Sequence, residues 1–381
     1  MIFQNIKSIN YIFNTIFIKY RKSWLFSGLV WLLFILPAQA VELRVAIEKE
    51  VTSLKVGSST TAIVRDGAGN PVGKLNPMSS LAAQSQDNGI SIDARFNAKE
   101  LVIEPQDDGF VWIGDRWYRG TTRLIRQGEN LTAINHVNLE HYLYSVVGAE
   151  AVSSWPIEAL KAQAVAARSY ALYKRDTSAN SIYDVDTTIS TQVYKGLDTE
   201  YTTTHTAVND THGQIMTYQD KVILAAFHSS SGGYTENVED IWTSPLPYLR
   251  SVVDYDHEAP VFEWQQIIPI SKLQELVAGV GRIKGLQTEK ITPRGRVITM
   301  RVLGERGSKS ISGKDLRKEL DLRSTLFRVA TDGKNLKIQG RGFGHGLGLS
   351  QWGAYYLAKQ GVNYHQILVH YYQNANLTRL E

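Results

Sequence analysis

Glu150 lies where the residue spacing predicts a shielded position at the end of a helix. Before it, apolar residues recur at steps of three and four, namely Leu139, Tyr142, Leu143, Val146 and Val147. This spacing is typical of an amphipathic helix over Val137–Glu150, and Glu150 takes the next place on the apolar side. Burial makes an ionised carboxylate costly, so the pKa of such a group rises and the group keeps its proton near neutral pH. A shielded, protonated carboxyl is what general acid catalysis requires.

The same spacing is compatible with two structural roles for Glu150. The carboxylate could be held in a structural salt bridge, or the helix could fray beyond Gly148 and expose the side chain to water. Neither alternative involves catalysis. The elements that pack around the end of this helix decide between catalysis and these structural roles.

A second helix is predicted from Pro156 to Lys174, and it carries two basic side chains on one face. Proline and the acidic Glu158 are both favourable in the first turn of a helix. The recurring alanines leave room for another helix to approach closely. Lys161 and Arg168 are two turns apart, so their charges point to the same side.

Three further segments combine polar side chains with glycine: Ser190–Gly196, Phe227–Glu236 and Gly340–Gly353. Alternating glycines let a backbone approach a ligand closely and offer its N–H groups as donors. The third segment lacks the Lys-Ser/Thr ending of a phosphate loop, and its glycine spacing differs from the dinucleotide-binding fingerprint. Nucleotide binding is therefore disfavoured.

Two histidines, His228 and His345, lie in these glycine-bearing segments. His228 precedes three serines, but the nucleophile elbow of serine hydrolases is missing, and a histidine adjacent to its nucleophile in sequence is not the usual arrangement. No metal-ligand motif such as H-E-x-x-H is present. Each histidine is either a ligand-binding residue or a hydrogen-bonded structural one.

The N-terminal 40 residues are typical of an export signal. They contain Lys7, Lys19, Arg21 and Lys22 without any acidic residue, then the apolar run Trp24–Leu36 and a small-x-small cleavage pattern that ends at Ala40. The apolar run is short for a bilayer span, which favours cleavage over anchoring. An uncleaved anchor is the alternative.

Charge and cysteine content narrow the class of protein. The net charge of +4 comes from the predicted signal, and without those four basic residues the acidic and basic side chains balance. A near-neutral chain removes the usual electrostatic argument for nucleic-acid binding. There is no cysteine, which excludes disulfides and thiolate metal sites.

The order of predicted elements indicates an α+β fold. Short alternating runs between turn residues predict a β-rich section from Val41 to about Asn135. After the two helices, short strands and polar turns are expected from Asp184 to Glu263. The later predicted elements are a helix at Ile267–Val280, a strand at Arg296–Leu303 and helices at Gly313–Leu320, Ala354–Gln360 and Tyr364–Tyr372.

Taken together, the ordered motifs resemble the SpoIID/LytB family of sporulation stage II protein D lytic transglycosylases and amidase enhancers. The resemblance covers most of the chain after residue 40. The matching stretches are Tyr118–Gly120, Val137–Leu143, Val146–Glu150, Glu158–Arg168 with Tyr170, Gln192–Tyr194 with Gly196, His228–Gly233 with Thr235 and Glu236, Ser312 and Gly313, Leu316 and Arg317, Leu322–Thr325, and Gly340–Gly353.

The resemblance implies a chemistry for Glu150. The family cleaves the β-1,4 bond between N-acetylmuramic acid and N-acetylglucosamine without water and leaves a 1,6-anhydro sugar. Glu150 falls on the catalytic acid, and Lys161 and Arg168 fall on basic residues that support the site. Most glycoside hydrolases need a second carboxylate, whereas here the substrate's own C6 hydroxyl would be the nucleophile.

The resemblance also implies where the substrate binds and how the chain divides. The expected substrate-binding residues are Gln192, Tyr194, His228, Ser229, Ser231, Gly232, Gly233, His345, Gly346 and Gln351. The expected regions are a signal peptide at 1–40, a β-rich region at 41–110 and a SpoIID-like catalytic domain at 111–377. Ala151-Val152 replaces the family's usual Met-Pro after the acid, which puts substrate preference in doubt. Some members bind zinc through cysteine and histidine, so no metal or cofactor is expected in this cysteine-free chain.

Three functions follow as hypotheses, and a generic secreted carbohydrate-binding domain is the least favoured of them. The first is an exported peptidoglycan lytic transglycosylase of the periplasm or cell wall that acts on glycan strands, with no nucleic-acid partner and no stable membrane span after signal cleavage. The second is a non-catalytic, glycan-binding activator of a separate cell-wall amidase. Glu150 favours the enzyme, because a binding module has no need for a carboxyl directed into an apolar pocket.

Overall fold

Strands occupy the chain as far as Asn138, as the alternating pattern predicts. The computed structural model describes residues 41–86, 89–188, 191–242 and 244–380, and Glu42–Leu380 pack as one unit. The strands before the first helix are β1 (Glu42–Val51), β2 (Ser53–Ser58), β3 (Ala62–Asp66), β4 (Pro71–Leu75), β5 (Ser80–Gln86), β6 (Gly89–Ile92), β7 (Phe96–Ala98), β8 (Glu100–Pro105), β9 (Val111–Ile113), β10 (Arg116–Tyr118), β11 (Thr121–Gln127) and β12 (Asn130–Asn138).

Helices and short strands follow, which confirms the α+β class. The helices are α1 (Leu139–Glu150), α2 (Ile157–Thr177), α3 (Thr202–Asp210), α4 (Val238–Ile241), α5 (Ile270–Leu276), α6 (Gly313–Glu319), α7 (Gln351–Lys359) and α8 (Tyr364–Tyr371). The strands are β13 (Val185–Asp186), β14 (Gln214–Tyr218), β15 (Lys221–Val222), β16 (Phe227–His228), β17 (Glu263–Pro269), β18 (Ile283–Ile291), β19 (Val297–Gly304), β20 (Gly307–Ser312), β21 (Phe327–Thr331), β22 (Asn335–Arg341), β23 (Leu349–Ser350) and β24 (Asn376–Arg379).

Two larger sheets form the N-terminal section. One has the order β13-β1-β12-β11-β8-β3-β4 and the other the order β10-β9-β2-β5-β6-β7. The first sheet joins strands from both sides of residue 110. The division into regions 41–110 and 111–377 stays a prediction. Among the remaining strands, β17-β22-β21 and β18-β19-β20 form three-stranded sheets, and β16 pairs in parallel with β23.

Helix α1 begins directly at the end of β12, and its start is fixed by a side-chain cap. The Asn138 carboxamide oxygen accepts hydrogen bonds from the backbone N–H groups of Glu140, at 2.8 Å, and His141, at 3.3 Å. Asparagine is a favourable N-cap because its oxygen satisfies donors that have no partner within the helix. At the other end the backbone turns extended at Ala151. Glu150 is thus the last residue of the helix.

Helix α2 lies at the centre of the helical part of the protein. It contacts α1, α3, α7, α8 and β14. Its alanines from Ala159 to Ala171 are buried, so neighbouring helices can approach on several sides. One apolar cluster surrounds α2. A second apolar cluster fills the space between the strands β17–β22 and the helices α5 and α6. The core that surrounds α2 is the one that positions Glu150.

The helix predicted at Ile267–Val280 is wrong at both of its ends. Residues 267–269 belong to β17, which pairs antiparallel with β22 over its whole length, and the helix spans only Ile270–Leu276. Buried and more exposed residues alternate along β17, as is typical of a strand. The apolar composition of this segment hid the alternation in the sequence. Helix α3 was not predicted, because its sequence is mostly polar and carries little apolar periodicity.

Within the described ranges, no helix combines the length and apolar character needed to cross a membrane. The predicted export signal, residues 1–40, lies outside the described residues.

Gly353 marks a place where α7 packs too closely for any side chain. It lies beside Asp254 and Tyr371, whose hydroxyl donates a 2.7 Å hydrogen bond to the Asp254 carboxylate. A Cβ added at Gly353 would overlap both the Asp254 Oδ1 atom and the Tyr371 hydroxyl. All three groups are buried, so none can move into solvent to make room.

We predict that Gly353→Ala lowers the free energy of unfolding by about 2 kcal/mol or more, because the methyl group overpacks the core. The matched control is Gly285→Ala in β18, where the nearest atom to the added Cβ is Leu303 Cδ1 at 4.0 Å. That control should change stability by less than about 1 kcal/mol. Urea unfolding of both variants tests the prediction, and equal losses would contradict it.

Candidate functional site

The carboxyl of Glu150 lies at the end of the buried side of α1. Tyr142, Leu143, Val146 and Val147 are fully buried, and Glu150 itself is half-buried. The carboxyl is therefore shielded from most water while part of the side chain stays accessible. A salt bridge or full exposure does not describe this position, since no basic group lies within ion-pair distance of Glu150 in the part of the chain that is described.

A backbone N–H and a side-chain amide act on the Glu150 carboxyl. The Val193 N–H donates to Oε1 at 2.8 Å. The Gln351 side-chain amide, which donates to Gln163 Oε1 at 3.4 Å, also favours the charged form of the Glu150 carboxyl. Burial raises the pKa of Glu150 above its usual range, and these two donors partly offset that rise because they favour the charged form. Burial and these donors thus shift the pKa of the carboxyl in opposite directions.

Gln192 and Tyr194 hold the backbone at Val193 in place. The Gln192 amide accepts from the Tyr142 hydroxyl at 3.1 Å and donates to the Ala167 carbonyl at 3.2 Å. The Tyr194 hydroxyl donates to Asn135 Oδ1 at 2.9 Å. Both residues are buried, so we expect them to act on a substrate only through Val193, whose N–H they direct at Glu150.

The structure brings the second and third glycine-bearing segments together. Strand β16 pairs with β23, the Trp352 N–H donates to the Ser229 carbonyl at 3.0 Å, and Ser230 bridges to Phe343. Because Gln351 follows β23 directly, this pairing carries its amide to Glu150. Gly344 and Gly346 have positive φ angles, and added Cβ atoms there would overlap His228 and Arg296. Only glycine fits these two positions.

His228 and His345 contact backbone groups of the two segments. His228 Nδ1 lies 3.1 Å from the Leu347 carbonyl, and His345 Nε2 lies 3.0 Å from the Phe227 carbonyl while its Nδ1 accepts from the Leu347 N–H. Burial lowers the pKa of both rings, that of His345 to about 4. These contacts favour a structural role, in which the histidines join the two segments.

The serine-glycine run turns toward two buried aspartates that the sequence patterns did not reveal. Ser230 Oγ donates to Asp256 at 2.5 Å, and the N–H groups of Gly232 and Gly233 donate to the same carboxylate at 2.8 and 3.0 Å. Ser231 donates to Asp254. Burial and the nearby charge of Asp256 raise the pKa of Asp254 to about 6. The predicted substrate-binding residues Ser231, Gly232 and Gly233 thus bind aspartates of the same chain.

A buried pair that the sequence did not predict, Glu236 with Arg296, lies beneath the glycine segment. Each side chain is 1% exposed, and Arg296 Nε lies 3.6 Å from Glu236 Oε1, which also accepts from Thr292 at 2.7 Å. Arg296 donates to the Ser231 carbonyl at 2.7 Å and lies against Gly346. No local periodicity marks these residues. The pair is too deeply buried to reach a substrate, so it fixes the loops.

Lys161 and Arg168 make their contacts away from Glu150. Arg168 is fully buried and forms an ion pair with Glu140, with Nη2 2.6 Å from Oε2. Glu140 and Glu150 are ten residues apart on α1, which is about 15 Å along a helix. Lys161 Nζ lies 3.0 Å from Asp210 and 3.4 Å from Glu158. The support of these two cations for the reaction remains a prediction, and from these positions it would act through helix packing.

We predict that Arg168→Met lowers the free energy of unfolding by about 3–5 kcal/mol, because it leaves the buried Glu140 carboxylate without its cationic partner. The double variant Arg168→Met, Glu140→Gln should recover most of that loss. Chemical denaturation measures both, with Arg65→Met of the more exposed Arg65–Glu104 pair as a control expected to cost about 1 kcal/mol or less. A double variant as unstable as the single one would contradict this structural role.

The described residues contain no group of three His, Asp or Glu side chains arranged to hold a metal ion.

Comparison with known proteins agrees with the resemblance. A family model described as Stage II sporulation protein matches residues 127–218, and a domain of unknown function, DUF8618, matches 249–348. The chain is 36% identical to the Stage II sporulation protein D of Bacillus amyloliquefaciens over 65% of this chain and 76% of that protein. It is 31% identical to an uncharacterized protein of Brachyspira hyodysenteriae over 76% of this chain and 79% of that protein. It is 30% identical to the amidase enhancer of Bacillus subtilis, over 62% of this chain and 40% of that protein. On these matches and the ordered motifs, the chain belongs to the SpoIID/LytB family.

Proposed function

We propose that this protein is an exported peptidoglycan lytic transglycosylase that uses Glu150 as its acid and then its base. Membership of the SpoIID/LytB family supports a role at the cell wall. The observation that carries the enzymatic proposal is the half-buried Glu150 carboxyl with a raised pKa, held by the Val193 N–H and the Gln351 amide. A carboxyl in this state can give a proton and take one back.

The proposed reaction needs one carboxyl and no water. Protonated Glu150 gives its proton to the glycosidic oxygen as the bond from C1 of N-acetylmuramic acid to that oxygen breaks. The C6 hydroxyl of the same sugar attacks C1, and the Glu150 carboxylate accepts the hydroxyl proton. The products are a 1,6-anhydro sugar end and a free 4-hydroxyl on N-acetylglucosamine. Atoms and charge balance, and Glu150 is restored as the acid.

Other carboxyls near the loops are poorly placed to serve as the second catalytic group of an ordinary hydrolase. Asp256 and Glu236 are 0% and 1% exposed, and both accept hydrogen bonds within the chain. Asp254 is 6% exposed and accepts from Ser231 and Tyr371. Hydrolases with two catalytic carboxyls place both at the scissile bond. Because these three carboxyls are buried and hydrogen-bonded within the chain, Glu150 fits a reaction whose nucleophile belongs to the substrate.

A cluster of aromatic side chains from the segments that follow Glu150 and Gln351 offers a surface for sugar rings. Trp155 follows Glu150 in the chain, and its ring lies 4.9 Å from that of Trp352, the residue after Gln351. Tyr355 and Tyr356 extend the cluster at ring distances of 4.9 to 5.3 Å. All four are half-buried. Aromatic faces with polar edges suit amphipathic ligands such as glycans, so this cluster supports glycan binding beside Glu150.

Activation of an amidase is the second candidate function, because the chain is 30% identical to a protein named amidase enhancer. An activator would bind glycan without cleaving it. The two candidates differ in what they require of Glu150. An enzyme requires the carboxyl proton of Glu150, whereas an activator requires at most the shape of this side chain.

We predict that Glu150→Gln lowers the rate of glycan cleavage by about 10²–10⁴-fold, because the amide has no proton to donate at the required acidity. Purified glycan strands would be incubated with each protein, and anhydro-ended products would be quantified by mass spectrometry. Glu129→Gln is the matched control, since Glu129 lies exposed in the turn between β11 and β12. Cleavage absent from the native protein as well, with glycan binding retained, would favour the activator.

We predict that Gln351→Leu moves the alkaline limb of the pH–rate profile to higher pH. The Gln351 amide stabilises the charged form of Glu150, so its loss raises the pKa of the carboxyl further and keeps the acid form at higher pH. The pH dependence of kcat/KM measures this limb. The control is Gln360→Leu at the exposed end of the same helix. An unshifted limb in Gln351→Leu would show that this amide does not tune the acid.

A further inference from the structure

Gln163 is a buried amide on α2 that the proposed reaction leaves without a role. Its side chain is 2% exposed. Ala167, one turn later on the same face of the helix, accepts from the Gln192 amide at 3.2 Å. Burial and the nearby charge of Glu150 raise the pKa of Tyr170, two turns after Gln163, to about 12. The face of α2 that carries Gln163 is therefore the one that turns toward Glu150.

The Gln163 side chain meets Gln351 where α2 contacts α7. Gln163 Oε1 accepts from Gln351 Nε2 at 3.4 Å. Ser350 caps α7 by accepting from the Gly353 N–H at 3.2 Å, which fixes the backbone that carries Gln351. Gln351 is 7% exposed, so the pair of amides is shielded from bulk water.

One end of the Gln163 amide is paired and the other is not. Its Nε2 atom is buried and has no hydrogen-bond partner among the described residues. An unpaired buried donor is costly, and such groups are uncommon in protein interiors. Gln163 thus holds an unused donor directly beside the amide that acts on Glu150.

The orientation of the Gln351 amide decides which form of Glu150 it stabilises. An amide has a donor end and an acceptor end of nearly the same shape. Its NH₂ group stabilises a carboxylate, whereas its carbonyl oxygen accepts from a protonated carboxyl and stabilises the acid form. A partner that can both accept and donate can support either orientation, and Gln163 is such a partner.

We propose that Gln163 is a positioning residue whose amide turns over together with that of Gln351, so that the pair fits both the acid and the base form of Glu150. The inference rests on the proposed function, because only a group that gives and takes a proton needs both arrangements. With Glu150 ionised, the Gln351 NH₂ group faces the carboxylate and Gln163 Oε1 accepts from it, as in the structure. With Glu150 protonated, the Gln351 carbonyl accepts from the carboxyl and from the unused Gln163 Nε2.

The two arrangements differ in strength. A hydrogen bond to a carboxylate is charge-assisted and therefore stronger than the bonds between neutral groups in the acid arrangement. The Gln351 amide thus favours the carboxylate on balance, which agrees with the direction in which it moves the pKa of Glu150.

The test follows the side-chain NH₂ signals of Gln163 and Gln351 by NMR as the pH of the native protein is changed. Both should shift with one midpoint, equal to the midpoint of the Glu150 carboxyl measured from its carbon signal. In Glu150→Gln neither should shift over that pH range. The internal control is the NH₂ group of Gln266 on β17, which donates to the Leu320 carbonyl at 3.4 Å and should not follow the Glu150 midpoint.

Two tyrosines also lie within the electrostatic reach of Glu150, and neither interferes with this test. Burial first, and then the Glu150 charge, raises the pKa of Tyr142 on α1 well above its usual range and that of Tyr170 on α2 to about 12. Both hydroxyls stay protonated while the carboxyl titrates. Shifts at the carboxyl midpoint therefore report on Glu150.

Variants separate a response that passes through Gln351 from a direct one. In Gln351→Leu the Gln163 signals should lose their dependence on Glu150. Gln163→Met should lower kcat by about two- to tenfold, which is the effect of one hydrogen bond, and should leave KM within about twofold because the buried side chain does not touch substrate. Gln266→Met is the matched control and should leave both constants unchanged.

Four results would overturn the proposal. Gln163 signals that ignore the Glu150 midpoint would show that its donor does not change partner. Signals that still follow Glu150 in Gln351→Leu would show that the response bypasses Gln351. A native kcat in Gln163→Met, or an equal loss in Gln266→Met, would remove the specific role in the reaction. If Gln163→Met does not fold, the spectra of the native protein still decide.

The spectra require no substrate and so are independent of catalysis. If the native protein cleaves no glycan while the two amides follow Glu150, the transglycosylase proposal is wrong and the coupled amide pair stands. If cleavage occurs and depends on Glu150 but the amides do not follow it, the inference about Gln163 alone is wrong.

Discussion

The opposing influences on the Glu150 carboxyl set the requirements for the surrounding fold. Burial disfavours its charge, while the Val193 N–H and the Gln351 amide favour it. A carboxyl exposed to water would keep an ordinary pKa and be ionised at neutral pH, and one buried without donors would resist losing its proton. The proposed reaction requires both states in turn. The structure must therefore bring a helix end, a backbone N–H and a distant amide to one point.

The meeting of the helix end, the Val193 N–H and the Gln351 amide at one point depends on close backbone packing, which buried charged side chains stabilise. Gln351 reaches Glu150 because β16 and β23 pair, and the glycine segment can follow this path only where Cβ atoms are absent. Buried charged side chains lie beneath the glycine segment and pair with its polar groups. Asp254 and Asp256 accept from serine hydroxyls, and Arg296, which pairs with Glu236, donates to the Ser231 carbonyl. Without these partners those polar groups would be buried unpaired. Unpaired polar groups are costly in an interior, so these networks favour one loop conformation over its alternatives. The polar residues of the loops thus serve mainly to hold the site.

The sequence predicted what depends on local pattern and missed what depends on distant partners. The apolar stripe of α1 predicted the helix and the shielded position of Glu150, and the helix predicted at Gly313–Leu320 is present as Gly313–Glu319. The partner of Arg168 is Glu140 on another helix, and no periodicity relates the two. The aspartates follow no helical or strand pattern, and the end of β17 was mistaken for helix because pairing with β22 decides its conformation. Which charges meet in the interior is a property of the whole fold.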